Sequence, residues 1–133
     1  MSGGNNKIIY KELSYQITGI LFDVYNNLGY GHPEKYYEKA IATGLDKEGI
    51  SFERQKHFNL TYKGTKIGEY YLDFLINKKI ILELKKGNYF SKRNIEQIKG
   101  YLKATNLKLA VLANFTPTGV KTFRLLNIKN TPQ

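Results

Sequence analysis

The chain has 133 residues, 41% of them hydrophobic, enough for one domain with a modest core. It has no cysteine, which excludes disulfides and thiolate metal sites, and no apolar run near the ~20 residues of a membrane span. Lys and Arg number 21 against 11 acids, a net charge of +10. Such an excess fits a polyanionic partner, most often nucleic acid, and also fits plain solubility in a Lys-rich chain.

Residues 1–10 read as a flexible lead without the basic-then-apolar order of a signal peptide, so a cytoplasmic protein is expected. Over 11–28, Leu13, Ile17, Ile20, Leu21, Val24, Tyr25 and Leu28 recur at helical spacing. Gly29-Tyr30-Gly31 stops that helix, and Pro33 suits the first position of a second. The second runs to about Glu48, burying Tyr37, Ala40, Ile41 and Leu45, and Gly49 ends it.

Residues 51–62 alternate as a strand, Lys63-Gly64 turns, and a second strand runs from Thr65 to about Ile76. A third strand follows at 80–86, then a loop at 87–90. Ser91 is a candidate N-cap for a helix over 92–105 that buries Ile95, Ile98 and Leu102. Residues 107–113 form a short interior strand, Thr116-Pro117-Thr118-Gly119 a turn, and 121–126 a last strand. A domain over 11–128 and a frayed tail at 129–133 complete the reading. The order ααβββαββ implies an α/β (α+β) fold, a mixed sheet of about five strands with helices packed on it.

The hairpin carries the chemistry. With a three-residue loop at 77–79, Ile76 faces Ile80, and counting back Asp73 faces Glu83 on one face. Two carboxylates about 5 Å apart repel by roughly 3 kcal/mol at an effective dielectric of about 20. Something positive should sit between them: Lys85, which alternation places on the same face, or a divalent cation such as Mg²⁺ or Mn²⁺, which suits carboxylate and carbonyl oxygens. An amphipathic strand that turns Ile80, Leu82 and Leu84 inward would instead turn Glu83 and Lys85 to water. Ile81 shares the face of Glu83, and Tyr71 and Leu75 share that of Asp73, so that face is not simply solvent.

Three further residues have two readings each. Glu34 sits in a helix's first turn, where the dipole alone favours an acid by roughly 0.3–1 kcal/mol. Gln97 and Tyr101 stack at i, i+4 on a helix flank offset from the Ile95/Ile98/Leu102 stripe, where solvated side chains are common. His32 and His57 lack a metal-ligating partner at suitable spacing and read as structural.

Asp73, nine intervening residues and Glu83-Leu84-Lys85 resemble the signature of the PD-(D/E)XK nuclease superfamily. Gly31-His32-Pro33-Glu34-Lys35-Tyr36-Tyr37 reads G-x-x-E-x-x-Y, so the chain resembles the GxxExxY family within it, from about Ile17 to Leu126. The proline that often precedes the aspartate is replaced by Leu72. The resemblance implies a restriction-endonuclease-like fold and a Mg²⁺- or Mn²⁺-dependent nuclease. It implies Asp73 and Glu83 as metal-binding acids, with the Leu84 carbonyl as a further ligand and Glu34 supporting the metal. Lys85 would orient water or steady the phosphorane charge, and Gln97 and Tyr101 would stand near the scissile phosphate.

The basic, aromatic stretch 85–93 could grip a phosphate backbone through Lys86, Lys92 and Arg93 and stack a base on Tyr89 or Phe90, or be an ordinary solvated loop. DNA is favoured over RNA as partner, with weak sequence specificity, and an exposed sheet edge would allow a homodimer. The alternatives are a nucleic-acid-binding module without catalysis, and a structural or assembly domain.

Overall fold

The computed structural model describes residues 9–87 and 91–127. Helices α1 (Lys11–Leu28) and α2 (Glu34–Lys47) precede strands β1 (Phe52–Tyr62), β2 (Thr65–Ile76) and β3 (Ile80–Lys86). Helix α3 (Lys92–Thr105), β4 (Leu109–Thr116) and β5 (Gly119–Leu126) follow, in the expected order ααβββαββ.

The sheet runs β1-β2-β3-β4-β5. All pairs are antiparallel except β3–β4, which is parallel because the chain crosses over through α3. Helices cover both faces of these central strands, so β3 and β4 are rich in apolar residues and buried almost throughout, with Glu83 and Asn114 among the buried polar exceptions. One core joins α1 and α2 to the sheet through Ile17, Leu21, Tyr37, Ile41, Leu45, Phe74, Leu82, Val111 and Phe115. A smaller core on the other face joins α3 through Leu72, Ile81, Ile98, Tyr101, Leu102 and Leu112.

The element bounds depart from expectation in small ways. Strand β4 starts at Leu109 and runs on to Thr116, and β5 starts at Gly119, because the turn needs only Pro117 and Thr118. Pro33 caps α2 rather than opening it. Ser91 caps α3 as expected, accepting the Asn94 N–H at 3.1 Å. Tyr101 is buried beside Ile98 and Leu102, whereas Ile95 is half-buried, so the buried stripe of α3 lies one position round from the expected one.

The 77–79 loop sets the register as its length demands: Ile76 pairs with Ile80, Leu75 with Ile81 and Phe74 with Leu82. Regular pairing then stops. Along β2, Phe74 and Ile76 enter the α1/α2 core, yet Leu72, of the same parity, enters the α3 core. The strand therefore rolls over at Asp73. Opposite it in β1, between the pairs Arg54–Phe74 and Lys56–Leu72, Gln55 adopts a left-handed conformation (φ 48°), which breaks the pleat. Strict alternation, which puts Tyr71, Asp73 and Leu75 on one face, fails here: Tyr71 is 55% exposed.

Candidate active site at the β2–β3 divergence

Where β2 and β3 part, side chains replace the missing ladder. The Asp73 N–H donates to Glu83 Oε2 at 2.8 Å, and Asp73 Oδ2 accepts the Leu84 N–H at 2.9 Å. Each acid thus binds the backbone of the strand that carries the other, so the two carboxyl groups meet in the gap. The Lys85 ammonium, one of the two positive groups expected there, does not stand between them. Among the described residues no Lys or Arg nitrogen lies within ion-pair distance of either acid. Backbone amides perform that task, and Lys85 acts on both acids from farther off.

Glu83 is 4% exposed. Burial, then the Asp73 charge, pushes its carboxyl up to about 8, against the pull of the Asp73 N–H and Lys85. Burial also raises Asp73, helped by the Glu38 charge and opposed by the Leu84 N–H, Gln55 and Lys85. Glu34 opens α2 and is solvent-accessible as a residue, yet partial desolvation of its carboxyl and then the Asp73 charge raise it too. Three carboxyl groups whose ionisation is opposed by burial and by neighbouring acids mark a candidate functional site.

The G-x-x-E-x-x-Y segment has a structural logic. Gly31 takes a positive φ of 111°, Glu34 begins α2, and the fully buried Tyr37 donates its hydroxyl to the Gly29 carbonyl at 2.5 Å. Tyr37 also stacks on Phe115 at 4.4 Å. The corner between α1 and α2 is thereby locked, and Glu34 is carried toward Asp73.

On the α3 side, Tyr101 packs against Tyr70 with ring centroids 4.8 Å apart. Burial, then the Glu83 charge, holds its hydroxyl at about 12, so it remains a hydrogen-bond donor at neutral pH. Gln97, one turn earlier, is exposed, and its side chain makes no hydrogen bond among the described residues. The structure thus brings Glu34, Asp73, Glu83, Lys85 and Tyr101 within electrostatic reach of one another and leaves Gln97 at the rim. Lys86 points to the opposite face from Lys85, its Nζ 5.4 Å from the Tyr30 ring centroid. Lys92 and Arg93 are exposed in the first turn of α3. Tyr89 and Phe90 lie outside the described residues.

Two participants escape the sequence reading. Glu38 accepts from Arg54 at 2.9 Å and from Gln55 at 3.2 Å, and Gln55 also reaches Asp73 Oδ1 at 3.4 Å. A polar chain therefore links α2 to the site through the residue that breaks β1. The i, i+4 spacing of Glu34 and Glu38 is a usable signal for the first; nothing local marks Gln55.

Among the described residues, no three His, Asp or Glu side chains stand grouped closely enough to hold a metal ion. The two interlocked acids still form an all-oxygen, electron-rich pair that suits a hard divalent cation. The Leu84 N–H points at Asp73, and in an extended strand a residue's carbonyl points to the same edge as its N–H, which adds an oxygen on that side.

A sequence model of the PD-(D/E)XK nuclease superfamily matches residues 11–125, and the chain belongs to that superfamily. A search of curated proteins finds no match. Among solved structures, the crystal structure of SSO0001 is similar, with a TM-score of 0.56 at 16% identity. The alignment covers 72% of this chain and 50% of that one, and it bears on the fold alone. Members of this superfamily are generally metal-dependent nucleases. Among the described residues no helix is long and apolar enough to cross a membrane.

Proposed function

We propose that this protein is a Mg²⁺- or Mn²⁺-dependent nuclease that hydrolyses phosphodiester bonds, with DNA preferred over RNA and little sequence specificity. The observation that carries this reading is the Asp73–Glu83 interlock: two desolvated acids held together by backbone amides, with no Lys or Arg nitrogen in ion-pair distance among the described residues and Lys85 alongside. Asp73, Glu83 and the Leu84 carbonyl would hold the ion, and Glu34 would support it, directly or through water. A bound divalent ion lowers the pKa of water and offsets charge on the phosphate.

The chain's own residues supply the rest. The Lys85 ammonium steadies the negative charge that builds on the non-bridging oxygens as water attacks phosphorus and the P–O bond to the leaving oxygen breaks. The Tyr101 hydroxyl donates toward the same oxygens, with Gln97 at the rim. Lys92 and Arg93 sit where the helix dipole disfavours cations, a placement that an anionic backbone would compensate. Lys86 would add a phosphate contact, and Tyr89 or Phe90 a stacking surface. The Gly31–Glu34–Tyr37 arrangement supports assignment to the GxxExxY branch.

The test is cleavage by purified protein of linear and circular, single- and double-stranded DNA, and of RNA, with Mg²⁺ or Mn²⁺. Cleavage that Asp73→Ala, Glu83→Ala and Lys85→Ala each abolish is the expected result. A wild type that cuts none of these substrates with either ion sinks the proposal.

A further inference from the structure

Beside the site, one polar atom has no partner among the described residues. Asn114 on β4 is 1% exposed, and its Oδ1 is buried without a hydrogen bond to any of them. The orientation of its amide is not arbitrary. Asn114 faces the Gly87 carbonyl at 3.3 Å, an atom that can only accept, so Nδ2 points there and Oδ1 points away.

Parallel pairing places Asn114 directly beside Lys85. In β3, Ile81 enters the α3 core while Ile80, Leu82 and Leu84 enter the other, so Lys85 falls on the α3 side. In β4, Ala110 and Leu112 enter the α3 core while Val111, Ala113 and Phe115 enter the other, so Asn114 falls on the α3 side too. The backbone donors around the pair are spent. The Leu84 N–H serves Asp73, and the Gly87 N–H serves the Phe115 carbonyl. Lys85 is half-buried, and its ammonium, with three N–H donors, makes no ion pair or hydrogen bond among the described residues. A buried amide acceptor and an unpaired ammonium therefore stand side by side on adjacent strands, each lacking what the other offers.

We propose that Asn114 is a positioning residue: its Oδ1 docks the Lys85 ammonium and holds it toward the Asp73–Glu83 gap. The same amide ties down Gly87, where β3 ends, so one side chain fixes both the lysine's strand and its head group. The catalytic consequence rests on the nuclease reading; the contact does not.

The contact is tested on metal-free, substrate-free protein, so its failure is distinct from a failure to cut nucleic acid. In side-chain ¹⁵N NMR, the wild-type Lys85 ammonium should give a resolved, slowly exchanging signal. Asn114→Leu, close to isosteric, should lose that signal while Lys86 is unchanged, and Asn114→Asp, which keeps an acceptor, should restore it. A Lys85 signal identical in wild type and folded Asn114→Leu overturns the proposal. Should Asn114→Leu not fold, Lys85→Met gives the reciprocal reading. The Asn114 ¹³Cγ resonance should move upfield as its oxygen loses a donor, and an unmoved resonance overturns the proposal equally.

Discussion

Asp73 and Glu83 hold each other's strands. The Asp73 amide donates to the Glu83 carboxylate at 2.8 Å, and the Asp73 carboxylate accepts from Leu84, the residue after Glu83, at 2.9 Å. Side chains thereby take over from the ladder at the point where it stops, and the price is two desolvated acids in one gap. Most of what can be tested about this protein follows from that exchange.

Stability should fall as pH rises in the absence of metal. Glu83 is raised to about 8 from an ordinary value of 4.5, so in this interval the folded protein keeps a proton that the unfolded chain has released. Its favourable contribution is complete below about 4.5 and is lost as pH climbs through 8. The loss should amount to a few kcal/mol, order of magnitude. Glu83→Gln, neutral at every pH, should be markedly more stable than wild type at pH 8 and no more stable near pH 4.5. Urea unfolding at both pH values checks this, and equal pH slopes would refute it.

A divalent ion should reverse that loss. Binding to the folded state alone stabilises by about 2.7 kcal/mol at one hundred times Kd. Mg²⁺ or Mn²⁺ should therefore raise the melting temperature of the wild type at pH 8, and less at pH 5, where protons compete for the same oxygens. Asp73→Asn should remove the response. Differential scanning calorimetry with and without the ion decides it.

The packing and the hydroxyl of Tyr101 should separate. Tyr101→Phe retains the ring against Tyr70 and should change stability by less than about 1 kcal/mol, while slowing cleavage about tenfold, roughly 1.4 kcal/mol of barrier. Tyr101→Ala empties a buried position and should cost about 3–5 kcal/mol of stability. Equilibrium unfolding paired with cleavage rates distinguishes the two effects.

Gly44 should resist replacement. A Cβ there would stand 2.7 Å from Ile20 Cγ2, a branched side chain wedged between α1 and α2. Ala improves helix propensity by about 1 kcal/mol, but forced repacking of a filled contact costs about 1–3 kcal/mol. Gly44→Ala should therefore destabilise on balance, as a lowered urea midpoint. Any gain in stability would show that the helices can part freely.

The hairpin shows how far sequence reasoning reaches. Loop length and apolar period were enough to pair Ile76 with Ile80 and so to aim Asp73 at Glu83. They were not enough to show how the acids meet. Counting by twos puts Tyr71 on the side of Asp73, but a single left-handed residue, Gln55 on another strand, turns β2 over between Leu72 and Phe74. Tyr101 was legible as part of a Q-x-x-x-Y pair, yet its burial against Tyr70 was not, because nothing in a helix's own period says which strand it will meet.

What the amino-acid order determined by itself is therefore local: eight elements in order, the Ser91 cap, the turns between strands, and a register dictated by a three-residue loop. These depend on near neighbours, whose spacing is written directly in the chain. Tertiary structure alone decided that β3 lies parallel to β4, which sets Lys85 beside Asn114, and that Glu38 reaches Asp73 through Gln55. Those relationships join residues far apart in sequence, and they arise only when both faces of one sheet must be covered at once.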